Sequence, residues 1–296
     1  MTMNSNEHIS GKRLTFFELI KEYHIQIPII QRDYAQGRVT AHEIRDSFLD
    51  ALLAYLEENK KHRDLDFVYG NQSNEAIDDE TKFIPLDGQQ RLTTLFLLHW
   101  YLAVKDGKID ELRKHLLFSK QGESQKSKFS YETRTSSREF CDSLLLADVD
   151  LQKLLEPDKD KSNSLSKTIK DSSWYFLSWE TDPTIQSMLI MLDAIHSKFK
   201  GTNGYFQRLV SLDNPVITFQ FLDLKEFNLT DDLYIKMNAR GIPLSPYENF
   251  KAKFEQHLKK SVFNAKHSYT LTFDGKPNKV DVKTYFSHKI DTDWAN

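Results

Sequence analysis

Apolar and polar positions alternate along the chain in blocks that predict a mixed α and β architecture. A short helical pattern opens at Thr15 in TFFELIKEY and passes into an extended apolar segment from Ile25 to Ile30. Pro28 lies in that segment, which places it at a sheet edge or a strand start, because proline cannot donate to a ladder. Ile44, Phe48, Leu49, Leu52, Leu53 and Leu56 then recur at helical spacing. DFVYG and KFIPLD read as two short strands, and the polar NQSNEAIDDET between them reads as a hairpin loop. From Gln89 to about Lys105 the chain is apolar around most of a helical circumference, through Leu92, Leu95, Phe96, Leu98 and Leu102. A helix of that kind belongs at the centre of a domain.

The second half is more interrupted. Residues 119–138 and 156–167 are polar and read as loops or insertions around smaller helices. Asp182-Pro183 marks a helix start, aspartate as N-cap and proline at the first helical position, followed by Ile185, Met188, Leu189, Leu192, Ile195 and Phe199. Pro215 to Leu224 is rich in β-branched and aromatic residues and predicts a central strand. TDDLYIKMNARGIPLSPYENFKAKF reads as helix, glycine turn, helix, and YTLTFDGKPNKVDV as a hairpin. The fold class expected is α+β, a small mixed sheet with many surrounding helices and a helical lobe. The division expected is a core first part at 1–118, a mainly helical insertion at 119–212, a return to the core at 213–260, and a hairpin at 261–296 that begins a continuation into a longer protein.

Composition narrows the class. With 39% hydrophobic and 28% charged residues, the 296-residue chain can bury a large core without staples. The net charge of -3 provides no global basic field, so any nucleic-acid contact needs a local patch. Lys251, Lys253, Lys259, Lys260 and Lys266 form the most basic stretch, which reads first as a solvated face. A single cysteine, Cys141, excludes an internal disulfide and a cysteine-based zinc site and reads as a small core residue. No run is long enough to span a bilayer and the N-terminus lacks a signal-peptide pattern, so the expectation is a cytoplasmic protein with no membrane partner.

The chemistry concentrates at Asp87-Gly88-Gln89-Gln90-Arg91, set between an apolar strand and an apolar helix. A strand that turns through glycine into a helix gathers backbone N–H groups and the positive end of the helix dipole at one point, where phosphate is favoured. Arg91 adds a planar donor fork, and Thr93 and Thr94 add hydroxyls. Asp87 admits two readings: a helix cap with Gln90 as its capping-box partner, or a ligand for Mg²⁺ or for an attacking water. Gln31-Arg32-Asp33-Tyr34, at a strand end, is a second polar cluster. Asn238, Arg240 and Gly241 read either as a helix end or as a group that closes a phosphate site. Arg134 and Arg138, four residues apart around Ser136 and Ser137, offer an anion pocket or a solvated helix start. Trp174, Tyr175, Phe176 and Trp179 read as packing rather than as a base-stacking platform. No P-loop pattern is present.

IPIIQRDYAQGR at 27–38, FVYG at 67–70, IPLDGQQRLTTLFLL at 84–98 and YIKMNARGIPLSPYENFKAKF at 234–254 occur in this order. Together they resemble the N-terminal domain of GmrSD-type restriction systems, domain of unknown function 262, with a ParB/sulfiredoxin-like fold. The resemblance implies an NTP-binding and NTP-hydrolysing sensor domain of a bacterial restriction or anti-phage defence system acting on modified DNA. It implies an NTP ligand such as GTP or ATP, with CTP a further candidate, and a nuclease domain or subunit as partner; Mg²⁺ as cofactor follows from the reading of Asp87 as a metal ligand. On the same ground Asp87, Gln89, Gln90 and Arg91 are the catalytic candidates, with Asp87 also the metal ligand. Gln31, Arg32, Tyr34, Gly88, Thr93, Thr94, Asn238 and Arg240 are the nucleotide-binding candidates. The ten histidines include no His-Asn-His nuclease arrangement. The alternatives left open are a non-hydrolysing DNA- or partner-binding module and direct cutting by a ParB-like fold.

Overall fold

The computed structural model describes residues 11–28, 34–77, 80–119, 124–132, 135–149, 151, 164–224, 268–273, 276–282 and 285. It resolves into two compact units, residues 1–228 and 229–296.

The first unit is built on a six-stranded mixed sheet. Its strands are β1 (Lys12–Leu14), β2 (Tyr23–Ile27), β3 (Arg63–Ile77), β4 (Glu80–Asp87), β7 (Phe129–Tyr131) and β8 (Ile217–Asp223), in the order β1-β8-β3-β4-β2-β7. Two short strands, β5 (Leu117–Phe118) and β6 (Lys126–Ser127), pair separately. β2 runs parallel to both β4 and β7, whereas β3 and β4 are antiparallel. The helices among the described residues are α1 (Phe16–Glu22), α2 (His42–Glu58), α3 (Gln89–Lys105), α4 (Ile109–Leu116), α5 (Thr135–Leu146), α6 (Leu165–Lys170), α7 (Pro183–Phe199) and α8 (Tyr205–Val210). The class is α+β, as the sequence pattern predicts.

Local chemistry explains where the elements start. Thr15 closes a complete capping box with Glu18 at the head of α1. Asp182 caps α7 by accepting from Thr184 N at 2.8 Å and Ile185 N at 3.3 Å, with Pro183 in the first turn. Every residue of α3 from Leu92 to Ala103 is buried, so α3 is the central helix. Phe96 stacks on Phe129 at 4.7 Å, and Trp100 donates to Leu144 O at 2.6 Å. Cys141 is fully buried, and Trp174, Tyr175 and Trp179 join Phe140 in one aromatic cluster, so packing holds for these, whereas Phe176 touches Trp179 but is 57% exposed.

Three expectations change. β2 ends at Ile27, before Pro28, and lies between β4 and β7, so it is an internal strand whose proline falls just past its last residue. The polar run after Gly70 continues as paired strand up to Ile77 opposite Glu80, so the hairpin is real and its loop much shorter than composition suggests. Residues 119–138 include β6, β7 and the start of α5, not one polar loop. On α2, Leu49, Leu52 and Leu56 are buried but Ile44 is 66% exposed, because only part of the apolar stripe meets α7 and the sheet. In the second unit, β9 (Ser268–Phe273) and β10 (Lys276–Asp281) form the expected antiparallel hairpin.

His99, in the middle of α3, is fully buried against Phe16 and directs Nδ1 to Leu95 O at 2.7 Å. Burial holds its pKa down at about 4, from an ordinary value of 6.5. The unfolded chain therefore takes up this proton first as pH falls. Stability is fully present above pH 6.5, is lost between 6.5 and about 4, and changes no further below that. The loss is expected to be on the order of 3 kcal/mol. Urea unfolding of His99→Phe across this window should show a correspondingly flatter pH dependence; an unchanged slope would contradict it.

Candidate functional site

β4 delivers Asp87 to the end of the sheet, and Gly88 turns the chain into α3 with φ 85°. Gly88 itself occupies the N-cap position, and no side chain caps the helix. The capping-box reading of Asp87 and Gln90 is therefore corrected: glycine takes the cap, which moves Asp87 one residue outside it. A helix N-terminus without a capping side chain leaves its first-turn N–H groups to be satisfied by backbone, water or a ligand.

Asp87 is 45% exposed and its Oδ2 accepts from the Arg91 guanidinium at 3.2 Å. Arg91 is mostly buried and its fork turns toward β3, donating to Leu65 O and, at 2.6 Å, to Phe67 O. The reason lies in β3, where the pairing to β8 shifts register between Asp64 and Phe67 and Asp66 adopts φ 71°. Such a bulge releases carbonyls from the ladder. Arg91 satisfies two of them, so it holds the junction against the sheet as much as it presents charge.

Gln89 is 5% exposed; its Nε2 donates to Pro85 O at 2.5 Å, and its Oε1 is buried with no hydrogen-bond partner. Gln90 Oε1 accepts from Gln36 N at 3.1 Å. Thr94 Oγ1 lies 2.5 Å from Tyr34 OH and donates to Gln36 Oε1 at 2.8 Å. Thr93 Oγ1 bonds Gln89 O at 3.0 Å and Tyr131 OH at 2.9 Å. The two threonines are buried and their hydroxyls engaged, which makes them positioning groups for the helix end. Burial pushes the Tyr34 and Tyr131 phenols well above the ordinary tyrosine range, so both stay neutral hydrogen-bonding groups.

Of the second motif, Tyr34 is thus brought against α3. Gln31 and Arg32 lie outside the described residues, as do Asn238, Arg240, Gly241, Arg134 and the lysine-rich stretch at 251–266. The anion pocket of Arg134 with Arg138, offered beside a solvated helix start, has its Arg134 outside the described residues. Arg138 donates to Tyr131 O and Glu132 O, while Ser136 and Ser137 both donate to the Asp182 carboxylate. The hydrogen bonds of Ser136 and Ser137, together with those of Thr184 N and Ile185 N, hold the Asp182 pKa below the usual carboxylate range despite burial.

Gln36 and Tyr131 were not singled out from the sequence. Gln36 stands within the stretch that contains Gln31 and Arg32, so its proximity was readable; nothing in the sequence marks the bulge at Asp66. Among the described residues no group of three or more His, Cys, Asp and Glu side chains is placed to hold a metal ion, and no helix is long and apolar enough to cross a membrane.

A family model covering residues 12–255 places the chain among the components of restriction systems. The chain belongs to the family of the GmrSD restriction endonuclease, N-terminal domain. No curated protein matches it.

Proposed function

We propose that the Asp87–Arg91 junction binds a nucleoside triphosphate with Mg²⁺ and hydrolyses it, as the sensor step of a restriction system that acts on modified DNA. One observation carries this reading. Tyr34, from the second motif, and Gln36 just after it hydrogen-bond Thr94 and Gln90 at the end of α3, so residues more than 50 positions apart in sequence meet at a helix N-terminus with no capping side chain. The first-turn amides of α3 would receive phosphate oxygens. Mg²⁺ is commonly held by one or two carboxylates, with substrate phosphates and waters completing its shell. The part-exposed carboxylate of Asp87 fits that requirement. Gln89 and Gln90 would orient the nucleotide or the attacking water, and Arg32, Gln31, Asn238 and Arg240 are the candidates for the remaining phosphate contacts.

The engagement of Arg91 with β3 favours one second reading, in which the motif organises the helix start of a non-hydrolysing DNA- or partner-binding module. Phosphate release from ATP, GTP and CTP with Mg²⁺, with and without modified DNA, separates the two. Turnover of at least one nucleotide is expected. Absence of turnover with salt-dependent DNA binding that survives Asp87→Ala would establish the second reading instead.

A further inference from the structure

Phe67 lies on β3 beside the Asp87–Arg91 junction and is 47% exposed. A single exposed apolar ring is ordinary on a protein surface, so exposure alone assigns it no role. Its placement does. β3 pairs antiparallel with β4, and Tyr69 stands directly opposite Asp87. Opposed residues share a face of the sheet, as do residues two apart on one strand. Phe67 is therefore the diagonal neighbour of Asp87 on that face, a separation that an aromatic side chain can bridge. Val68, between Phe67 and Tyr69, is 1% exposed and belongs to the other face, where its register partner Phe221 is also buried.

The backbone that carries the ring is held by the junction itself. The β3 register shifts between Asp64 and Phe67, Asp66 adopts φ 71°, and the Arg91 guanidinium donates to Phe67 O at 2.6 Å. On the other side, a Cβ built at Gly88 would lie 3.4 Å from the same carbonyl oxygen. Phe67 is thus fixed between the first turn of α3 and the glycine that opens it. Asp66 has a side chain 75% exposed and 4.0 Å from Arg91, so a carboxylate stands next to the ring and disfavours phosphate there. At the helix start, Gln89 is 5% exposed and its Oε1 has no hydrogen-bond partner, an acceptor that a donor from a ligand or water would satisfy.

We propose that Phe67 is the base platform of the nucleotide site: the nucleobase stacks on its exposed ring while the triphosphate lies toward Asp87 and the α3 amides. This inference rests on the nucleotide reading above and adds to it the part of the ligand that is not phosphate. The two sides of the junction divide the ligand by chemistry. Backbone N–H groups at a helix start favour phosphate oxygens, whereas an aromatic face beside a carboxylate favours a flat, uncharged ring with N–H groups on its edge. Stacking on an aromatic side chain tolerates any base, because every base has a π-face.

The test is a titration of the full chain, with Mg²⁺, against nonhydrolysable ATP and GTP analogues and against inorganic tripolyphosphate, which carries charge but no base. The preference for nucleotide over tripolyphosphate is expected to fall about tenfold in Phe67→Ala and to recover in Phe67→Trp. In Phe67→Trp the added indole should be quenched by the nucleotide analogue and not by tripolyphosphate, with wild type as the control for the native tryptophans. An unchanged preference in folded Phe67→Ala, or no added quenching in Phe67→Trp by a nucleotide that it binds, overturns the platform and leaves the nucleotide reading standing. Equal loss of both ligands in folded Phe67→Ala also overturns it, since the ring would then only support the junction. If wild type binds no nucleotide analogue, the platform and the nucleotide reading fall together.

Discussion

Arg91→Ala is expected to lower the unfolding free energy by about 3 kcal/mol, before any ligand is considered. The guanidinium donates to Leu65 O and Phe67 O at the β3 bulge and also reaches Asp87. Truncation leaves those carbonyls short of partners in a mostly buried place, and removes the stem that packs beside them. The exposed half of the Asp87 contact adds little. Arg91→Lys should recover only part of the loss, because an ammonium cannot match a planar fork that serves two carbonyls at once. Denaturant unfolding of the two variants gives the answer; a change below about 1 kcal/mol for Arg91→Ala would show that the bulge does not depend on the clamp.

Gly88→Ala is expected to cost about 2–4 kcal/mol, from two separable sources. The positive φ of 85° disfavours any residue with a Cβ, and a Cβ built there would meet Val68 Cγ2 at 2.7 Å. Val68 is 1% exposed and cannot move into solvent. The double variant Gly88→Ala, Val68→Ala should therefore relieve the steric share while keeping the backbone share. Thermal unfolding of the single and double variants tests the division, and equal destabilisation by Gly88→Ala with and without Val68 would contradict it.

These two residues show how far the chain could be read without coordinates. The period of apolar residues located α3 from Gln89 to Lys105, because a helix buried all round needs no tertiary context to declare itself. Asp182-Pro183 did the same for α7, since its cap is local chemistry. Pro28 suggested a sheet edge or a strand start for β2, yet the strand stops one residue earlier and the proline constrains nothing in the ladder. The hairpin of β3 and β4 was recognised but its polar strand ends were not, because the run NQSNEAIDDET offers no apolar alternation to read.

At the candidate site the sequence marked Asp87, Gln90 and Arg91 as a group but not what each does. A capping role for Asp87 was locally reasonable, and only the backbone angle of Gly88 displaces it from the cap. The partners that fix Arg91 are carbonyls of a bulge about 25 residues upstream, a non-local feature with no residue signature. Likewise the bond from Thr93 to Tyr131 joins α3 to β7, two elements whose proximity is a property of sheet order.

The most direct test of the nucleotide assignment compares wild type with Asp87→Ala in a binding titration with a nonhydrolysable NTP and Mg²⁺. Asp87 is part exposed and its ion pair contributes little to stability, so the variant should melt within a few degrees of wild type. Saturable binding by wild type that weakens about tenfold or more in the variant is the predicted result. No binding of ATP, GTP or CTP analogues by the folded wild type, or equal binding by Asp87→Ala, would contradict it.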